Sequence, residues 1–462
     1  MKVINSFLWE CLAIIPSVLM AQTANKQPNI VLILADDMGC ECLGCYGSTY
    51  QTPNLDKLSE IGVRFDNCFS QPLSTPSRVQ LMTGKYNNKN YSCFGHLNQK
   101  EKTFAHLAKD AGYTTMIAGK WQLGRNRNLP NHFGFDHYCL WQLSYDRMIK
   151  ERYAAPLIEQ DGNIKLYSNN EYGPDIFTQY VIDFIEKNKT KPFFIYYPMV
   201  LVHDPFYPTP QSDVWKDPSM REVRNTANFT KMVEHVDKNI NMIFNKLENL
   251  NLLSNTIIIF IGDNGTNRNI RTTMKDGTIV RGGKGLTIDT GVRVPMIVYW
   301  GKNNNTKHEC ADMIDFTDFM PTFAEAMNIK VPKQWDIDGQ SFLPQIKGEK
   351  GKYREWVFCH YDSRFNASAS KNAKQFFRDM RYKLYSNGNF YDTIKDPKET
   401  NPIAKGKGNA EAEKSRRKLE RLFANIPAWK VGDPAIPMCI LPEFPLLQTP
   451  KNISLEQILH SY

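Results

Sequence analysis

Up to Trp300 the chain is built around runs of apolar, mostly β-branched residues that each stop at a polar group. "NIVLILADD" closes on Asp36 and Asp37, "TTMIAGKW" near Lys120, "PFFIYYPMVLVHD" near His203, and "TIIIFIGDNG" on Asp263 and Asn264. Amphipathic stretches with helical spacing lie between these runs. From Pro28 onward the pattern therefore predicts an α/β fold with a mostly parallel central sheet flanked by helices. In open sheets of this kind ligands bind beyond the carboxyl ends of the strands, so the polar residues that close the runs are expected to meet in one crevice.

After Gly339 the text turns to loop, "GQSFLPQIKGEKGK", and a smaller unit follows. "WVFCHYD", "YKLYSN" and "NFYDTIKD" predict short strands, and "NAEAEKSRRKLERLFANI" predicts a helix. The expected organisation is a catalytic domain over 28–345 and a C-terminal α+β subdomain over 350–462, a small antiparallel sheet with a helix, packed on the main sheet. No internal repeat or low-complexity tract interrupts either. The opening residues, "MKVINSFLWECLAIIPSVLMA", combine a short basic start, an apolar stretch and a small residue at Ala21. They predict a secretory signal over 1–21 and a soluble, exported, periplasmic protein. No later run is long and apolar enough to span a membrane.

Composition narrows the class. With 462 residues and 42% hydrophobic content, the chain can bury a large core, which excludes fibrous and disordered proteins. Lys and Arg number 57 against 48 Asp and Glu, a net charge of +9. This diffuse excess suits an anionic substrate and does not call for nucleic acid. The densest basic run, "KSRRKLERLF", has helical spacing and is expected to form a solvated helix face. Of ten cysteines, Cys40, Cys42 and Cys45 crowd into "GCECLGCYG", but no second half with zinc-site spacing follows. Disulfides suit an exported protein, and their pairing is not legible here.

The stretch "SQPLSTPSRVQLMTG" carries the chemistry. Thr75 is expected to cap a helix with Pro76 at its first position, which places Ser74 at a helix N-terminus. Backbone N–H groups and the helix dipole favour an anion there, such as a sulfate or phosphate ester. Asp36, Asp37, Asp263 and Asn264 offer three carboxylates and an amide oxygen, a hard donor set that fits Ca²⁺ or Mg²⁺. Arg78 lies one turn beyond Ser74 on the same face.

These residues resemble the sulfatase family. "PLSTPSRVQLMTG" is similar to its active-site motif, C/S-x-P-x-R followed by Thr-Gly, and "NIVLILADDMG", "AGKWQLG", "VHDPF", "GDNG" and "GGKGLTIDTGVRVP" resemble its other blocks. The match runs from about Pro28 to Asp396. The resemblance implies an alkaline phosphatase-like fold and a sulfuric ester hydrolase in which Ser74 is oxidised to Cα-formylglycine. As a hydrate, the aldehyde attacks sulfur with one oxygen and releases the sulfate through the other, an exit that a bare serine lacks. The Ser-type motif implies a bacterial enzyme and a partner maturase that acts on the unfolded chain. The family metal is Ca²⁺, with Asp36, Asp37, Asp263, Asn264 and the modified Ser74 as ligands. Arg78 is expected to orient the hydrate, Lys120 and Lys284 to bind the sulfate, and His203 to protonate the leaving oxygen.

Two positions depart from the family pattern. Gln122 stands in "GKWQLG" where most sulfatases have His, and an amide cannot titrate. Asp289 and Thr290 replace the usual Glu-Gly, which is expected to change packing rather than chemistry. For specificity, Trp141 could stack on a sugar ring, and His360, Asp362 and Arg364 could bind sugar hydroxyls. The expected substrate is a sulfated carbohydrate. Three alternatives stay open: a small-molecule arylsulfatase, a phosphate or phosphonate ester hydrolase of the same superfamily, and a non-catalytic glycan-binding relative.

Overall fold

The structure is a computed structural model that describes residues 27–145, 150–168, 170–301, 308–363 and 373–427. The proposed signal segment, Arg364 and the chain after residue 427 lie outside the described residues. The four runs form β1 (Asn29–Ala35), β3 (Thr114–Gly119), β7 (Phe193–Pro198) and β8 (Thr256–Gly262). Together with β4 (His137–Trp141) they make a parallel centre in the order β8, β1, β7, β3, β4. On β1, Ile30, Leu32 and Leu34 face one core, while Val31, Ile33 and Ala35 face the other. That two-sided burial is why the strands read as unbroken apolar runs. Helices Ser74–Thr83, Phe104–Asp110 and Phe319–Ala326 cover the first face, and Pro53–Ile61, Gly173–Lys187 and Asn228–Asn249 cover the second.

The sheet extends to ten strands at its two margins. Beyond β4 come β5 (Leu157–Gln160) and β6 (Asn163–Leu166), both antiparallel. Beyond β8 comes β11 (Arg293–Trp300), antiparallel both to β8 and to β2 (Val63–Phe69), and β12 (His308–Asp315) closes the edge parallel to β2. Pro295 lies inside β11, and the pairing with β2 shifts register between Val294 and Met296, which accommodates its missing N–H. A two-stranded hairpin, β9 (Arg271–Thr273) with β10 (Ile279–Arg281), follows the carboxyl end of β8.

The smaller unit is an antiparallel sheet in the order β13 (Val357–Tyr361), β14 (Lys374–Arg378), β15 (Tyr382–Tyr385), β16 (Phe390–Asp392). One face packs on helix Ala410–Ala424 through Phe377, Leu384 and Leu419, and the other on Phe69, Val292 and Met313 of the main unit. Two expectations are corrected here. The stretch from Gly339 to Lys352 is not a free loop, because Phe342, Leu343 and Ile346 are buried in the main core. The basic helix is not wholly solvated: Arg416 is buried, lying 4.2 Å from the centroid of the Phe390 ring and donating to the Ile403 carbonyl.

Charge fixes the two units together. Asp289 accepts from Arg378 Nη1 at 2.6 Å and lies 3.5 Å from Lys383 Nζ, which also donates to the Thr287 carbonyl at 2.8 Å. Burial raises the Asp289 pKa, but Arg378 and Lys383 outweigh it and hold the carboxyl well below its ordinary value. Such a group stabilises the fold above its unfolded-state pKa, near 4, and that contribution is lost as pH falls through the depressed folded value. Asp289→Asn is therefore expected to cost about 2 kcal/mol near neutral pH, the side chain being partly exposed. Urea denaturation of both proteins across pH 3 to 8 checks it: the difference should be constant above about pH 5 and narrow below pH 4.

Candidate active site

The motifs meet because short-range geometry forces the strand ends together. At Gly119, with φ of 109°, a Cβ would lie 2.1 Å from the Pro198 carbonyl oxygen, so only glycine lets β3 sit this close to β7 as it delivers Lys120. At Gly265 a Cβ would lie 1.8 Å from the Thr290 carbonyl oxygen, which locks the turn after Asn264 against "DTG". The helix carrying Ser74 starts earlier than expected. Ser74 itself is its first residue, Leu73 is the N-cap without a side-chain bond, and Thr75 accepts from Gly95 N at 3.1 Å instead of capping. Pro76 still falls in the first turn, where its missing N–H costs nothing.

Ser74 is 2% exposed and sits at the focus of the site. Its Oγ lies 3.0 Å from Asp36 Oδ1 and 3.3 Å from Asn264 Oδ1, and it accepts from Lys120 Nζ at 3.2 Å. Lys120 also donates to Asp36 Oδ2 at 2.6 Å. Asn264 Nδ2 donates to Asp37 Oδ1 at 2.9 Å, and Asp37 N donates to Asp263 Oδ1 at 3.0 Å. Arg78 points into the carboxylates rather than at Ser74. It donates through Nη2 to Asp263 Oδ2 at 3.1 Å, with Asp36 Oδ1 at 3.8 Å, and through Nη1 to the Lys120 carbonyl at 3.3 Å. On the other side, Lys284 donates to Asp37 Oδ2 at 2.5 Å and to His203 Nε2 at 3.0 Å.

The electrostatics follow from burying three carboxylates beside three cations. Burial raises the Asp36 pKa, but Lys120, His203 and Arg78 together bring it well below the usual range. Asp263 moves the other way, pushed up to about 7 by burial and then by Asp36, despite Arg78. Lys120 falls to about 8, since burial outweighs the pull of Asp36. His203 falls to about 3, mainly by burial. Its Nδ1 faces the Asp204 carbonyl, so the neutral ring carries its proton there and Nε2 accepts from Lys284. His203 is thus a neutral ring coupled to a lysine.

The donor set fits a hard cation. Ligand atoms of Asp36, Asp37 and His203 lie within 4.8 Å of one another, and with His203 engaged elsewhere the convergent atoms are carboxylate and amide oxygens. The cysteine cluster gives no such site among the described residues: Cys40, Cys42 and Cys45 are free thiols on short turns, and Cys68, Cys139, Cys310 and Cys359 are free thiols on strands. Cys93 is disulfide-bonded.

The specificity residues fall elsewhere than expected. A cavity of about 780 Å³ opens beside His203 and Lys284, lined also by Tyr361 and Ser363. His360 and Asp362, which alternate with those two along the chain, are buried away from it, His360 bonding Gln375 across the sheet at 2.8 Å. Trp141 donates to the Lys150 carbonyl, and the Arg152 guanidinium covers its ring at 4.3 Å from the centroid. Gln122 adopts a left-handed backbone, φ 55°, with a buried Oε1 that finds no hydrogen-bond donor among the described residues. Sequence reasoning missed Arg152. It is 8% exposed, its Nε and Nη1 have no acceptor among the described residues, and its charge reaches Lys120 and His203. No motif in "KERYAAP" marks it.

The sulfatase family profile matches residues 28–329, and a profile described as "N-sulphoglucosamine sulphohydrolase, C-terminal" matches residues 283–425. The chain belongs to the sulfatase family. This sulfatase is thus a sulfuric ester hydrolase of alkaline phosphatase-like fold. It is 30% identical over 341 residues to arylsulfatase J of Mus musculus, covering 70% of this chain and 56% of that protein. It is 25% identical over 501 residues to the N-acetylglucosamine-6-O-sulfatase of Bacteroides thetaiotaomicron, covering 86% of each. A solved structure in complex with its substrate D-glucosamine-2-N,6-O-disulfate superposes with a TM-score of 0.70 at 24% identity, covering 86% of this chain and 97% of the other.

Proposed function

We propose that this sulfatase removes a sulfate ester from a sugar of a sulfated glycan, using Ser74 oxidised to Cα-formylglycine beside a bound Ca²⁺, with Mg²⁺ the second choice. The observation that carries this reading is the position of Ser74 Oγ, within 3.3 Å of Asp36, Asn264 and Lys120 at a helix N-terminus. The aldehyde supplies, as its hydrate, a nucleophile and a route for sulfate to leave, and the cation supplies charge to hold a sulfate oxygen. Asp36, Asp37, Asp263 and Asn264 would hold the cation.

The chain's own groups do the rest. Arg78 fixes Asp263 and Asp36 in place, and Lys120 reaches the nucleophile position with its ammonium. Lys284 can offset charge on the transferred group and supply the proton that His203 Nε2 needs before it can donate one, since it already donates to that atom. His203→Ala is expected to lower turnover of a sugar sulfate at least about a hundredfold, the scale of general acid catalysis, with a smaller loss on an aryl sulfate whose leaving group needs no proton. Steady-state kinetics on both substrates checks this, and equal losses would remove His203 from proton transfer.

The glycan reading draws support from the N-acetylglucosamine-6-O-sulfatase that aligns over most of both chains. Export to the periplasm and a Ser-type maturase as partner complete the proposal, and a small-molecule aryl sulfate remains the alternative substrate. A phosphonate hydrolase shares the fold, so a second reading keeps phosphate or phosphonate esters as substrates. Oxygen-dominated ligands around Ser74 favour the sulfatase chemistry over a two-zinc centre.

A further inference from the structure

The cavity beside the nucleophile has two cations that the chemistry described above does not use. Arg268 and Lys374 line it together with His203 and Lys284. Lys284 is committed to Asp37, and Asp204, the carboxylate among the lining residues, is paired with Arg224. No carboxylate among the described residues pairs with Arg268 or Lys374. Lys374 rests its ammonium over the Tyr385 ring, 5.6 Å from the centroid. Both stand on fixed backbone. Arg268 lies in a turn closed by Ile270 N on the Asn267 carbonyl at 2.9 Å, just after the Asp263–Asn264 pair. Lys374 opens β14 and pairs across the sheet with Tyr361, which also lines the cavity. A smaller groove of about 150 Å³ shares Leu286, Thr287 and Lys374 with the cavity and continues to Asn387, Asn389 and Lys398. Lys374 therefore stands at the junction of two concave spaces.

Both side chains are exposed, so a neutral sugar would leave them to water, whereas concave walls of one sign raise the local concentration of anions, and a guanidinium binds sulfate or carboxylate in a forked geometry. We propose that Arg268 and Lys374 form a second anion subsite, so that the preferred substrate carries another sulfate or a carboxylate beside the sulfate that is removed. The inference rests on the sulfatase reading and specifies its substrate class.

The test uses full-length protein in two forms, one matured with a Ser-type maturase and one with bare Ser74. Sulfated mono- and disaccharides from chondroitin sulfate and heparan sulfate serve as probes, matched so that each pair differs by one additional sulfate or one uronate carboxylate. Desulfation is followed on the matured form, and binding by calorimetry on the bare form. The expected result is a preference of about tenfold or more for the additional anion, shrinking with added salt and lost in R268A/K374A while the singly charged sugar is handled as before. Sulfate and carboxylate arms tell which anion is read. No preference, or a preference that survives in R268A/K374A, overturns the proposal. If the matured enzyme desulfates none of these probes, the glycan-sulfatase reading of the site fails, and the calorimetric preference alone decides whether the anion subsite stands.

Discussion

Replacing Ser74 with alanine is expected to abolish sulfate-ester hydrolysis, by at least about 10⁴-fold, the scale seen when a covalent nucleophile is removed. The methyl group would face Asp36 Oδ1, Asn264 Oδ1 and Lys120 Nζ, three polar atoms arranged around one oxygen. Because the residue is buried at the start of a helix, the fold should persist, and circular dichroism should separate lost chemistry from lost structure. The companion measurement is the mass of the tryptic peptide Phe65 to Arg78 from protein made alongside a Ser-type maturase. Loss of two hydrogens at Ser74 is the expected result. An unmodified serine in fully active protein would overturn the formylglycine reading and move phosphoester chemistry forward.

Asp36→Asn should remove both metal response and turnover. Among the described residues Asp36 is the one carboxylate that touches both Ser74 and Lys120, so the substitution removes a full negative charge from the centre of the site. In the parent protein a cation bound only by the folded state stabilises by about 2.7 kcal/mol at a hundredfold excess over Kd. Thermal unfolding with added Ca²⁺, Mg²⁺ or chelator should therefore shift the parent and leave D36N still, with D263N behaving likewise. Ca²⁺ raising the stability of D36N as much as that of the parent would exclude the carboxylate cluster as its site. Removing this charge also strands Lys120, whose ammonium is buried with Asp36 as its ion-pair partner, so D36N should be less stable than the parent even without metal.

Much of this was legible from the order of apolar runs and their closing residues. Asp36, Lys120, His203 and Asp263 end or follow parallel strands, and parallel strands buried on both faces leave an unmistakable apolar signature. What stayed hidden had weaker periodicity. β11 contains Pro295, and β2, "VRFDNCF", interleaves charged residues, so neither reads as an interior strand. β14, "KQFFR", places two phenylalanines side by side on opposite faces, one for each core of the small unit, and so breaks the alternation that marks a half-buried strand. Side-chain direction was the other blind spot. "CHYDSRF" offered His360 and Asp362, yet the alternation of the chain turns Tyr361 and Ser363 toward the cavity instead. Arg152 carries no local signal at all, since its importance comes from Trp141, Lys120 and His203 meeting around it in space.

The contacts of Lys383 with Thr287, Asp289 and Glu399 bear on how this family can be recombined. The cavity wall at Leu286 and Thr287 belongs to the main unit, but its backbone is held by an ammonium from the C-terminal sheet. A chimera that imported that sheet from a relative without Lys383 and Arg378 would leave Asp289 without its two closest cations and the Thr287 carbonyl without its donor. The two units are thus not exchangeable cassettes, and a productive graft would have to carry both halves of this charged seam.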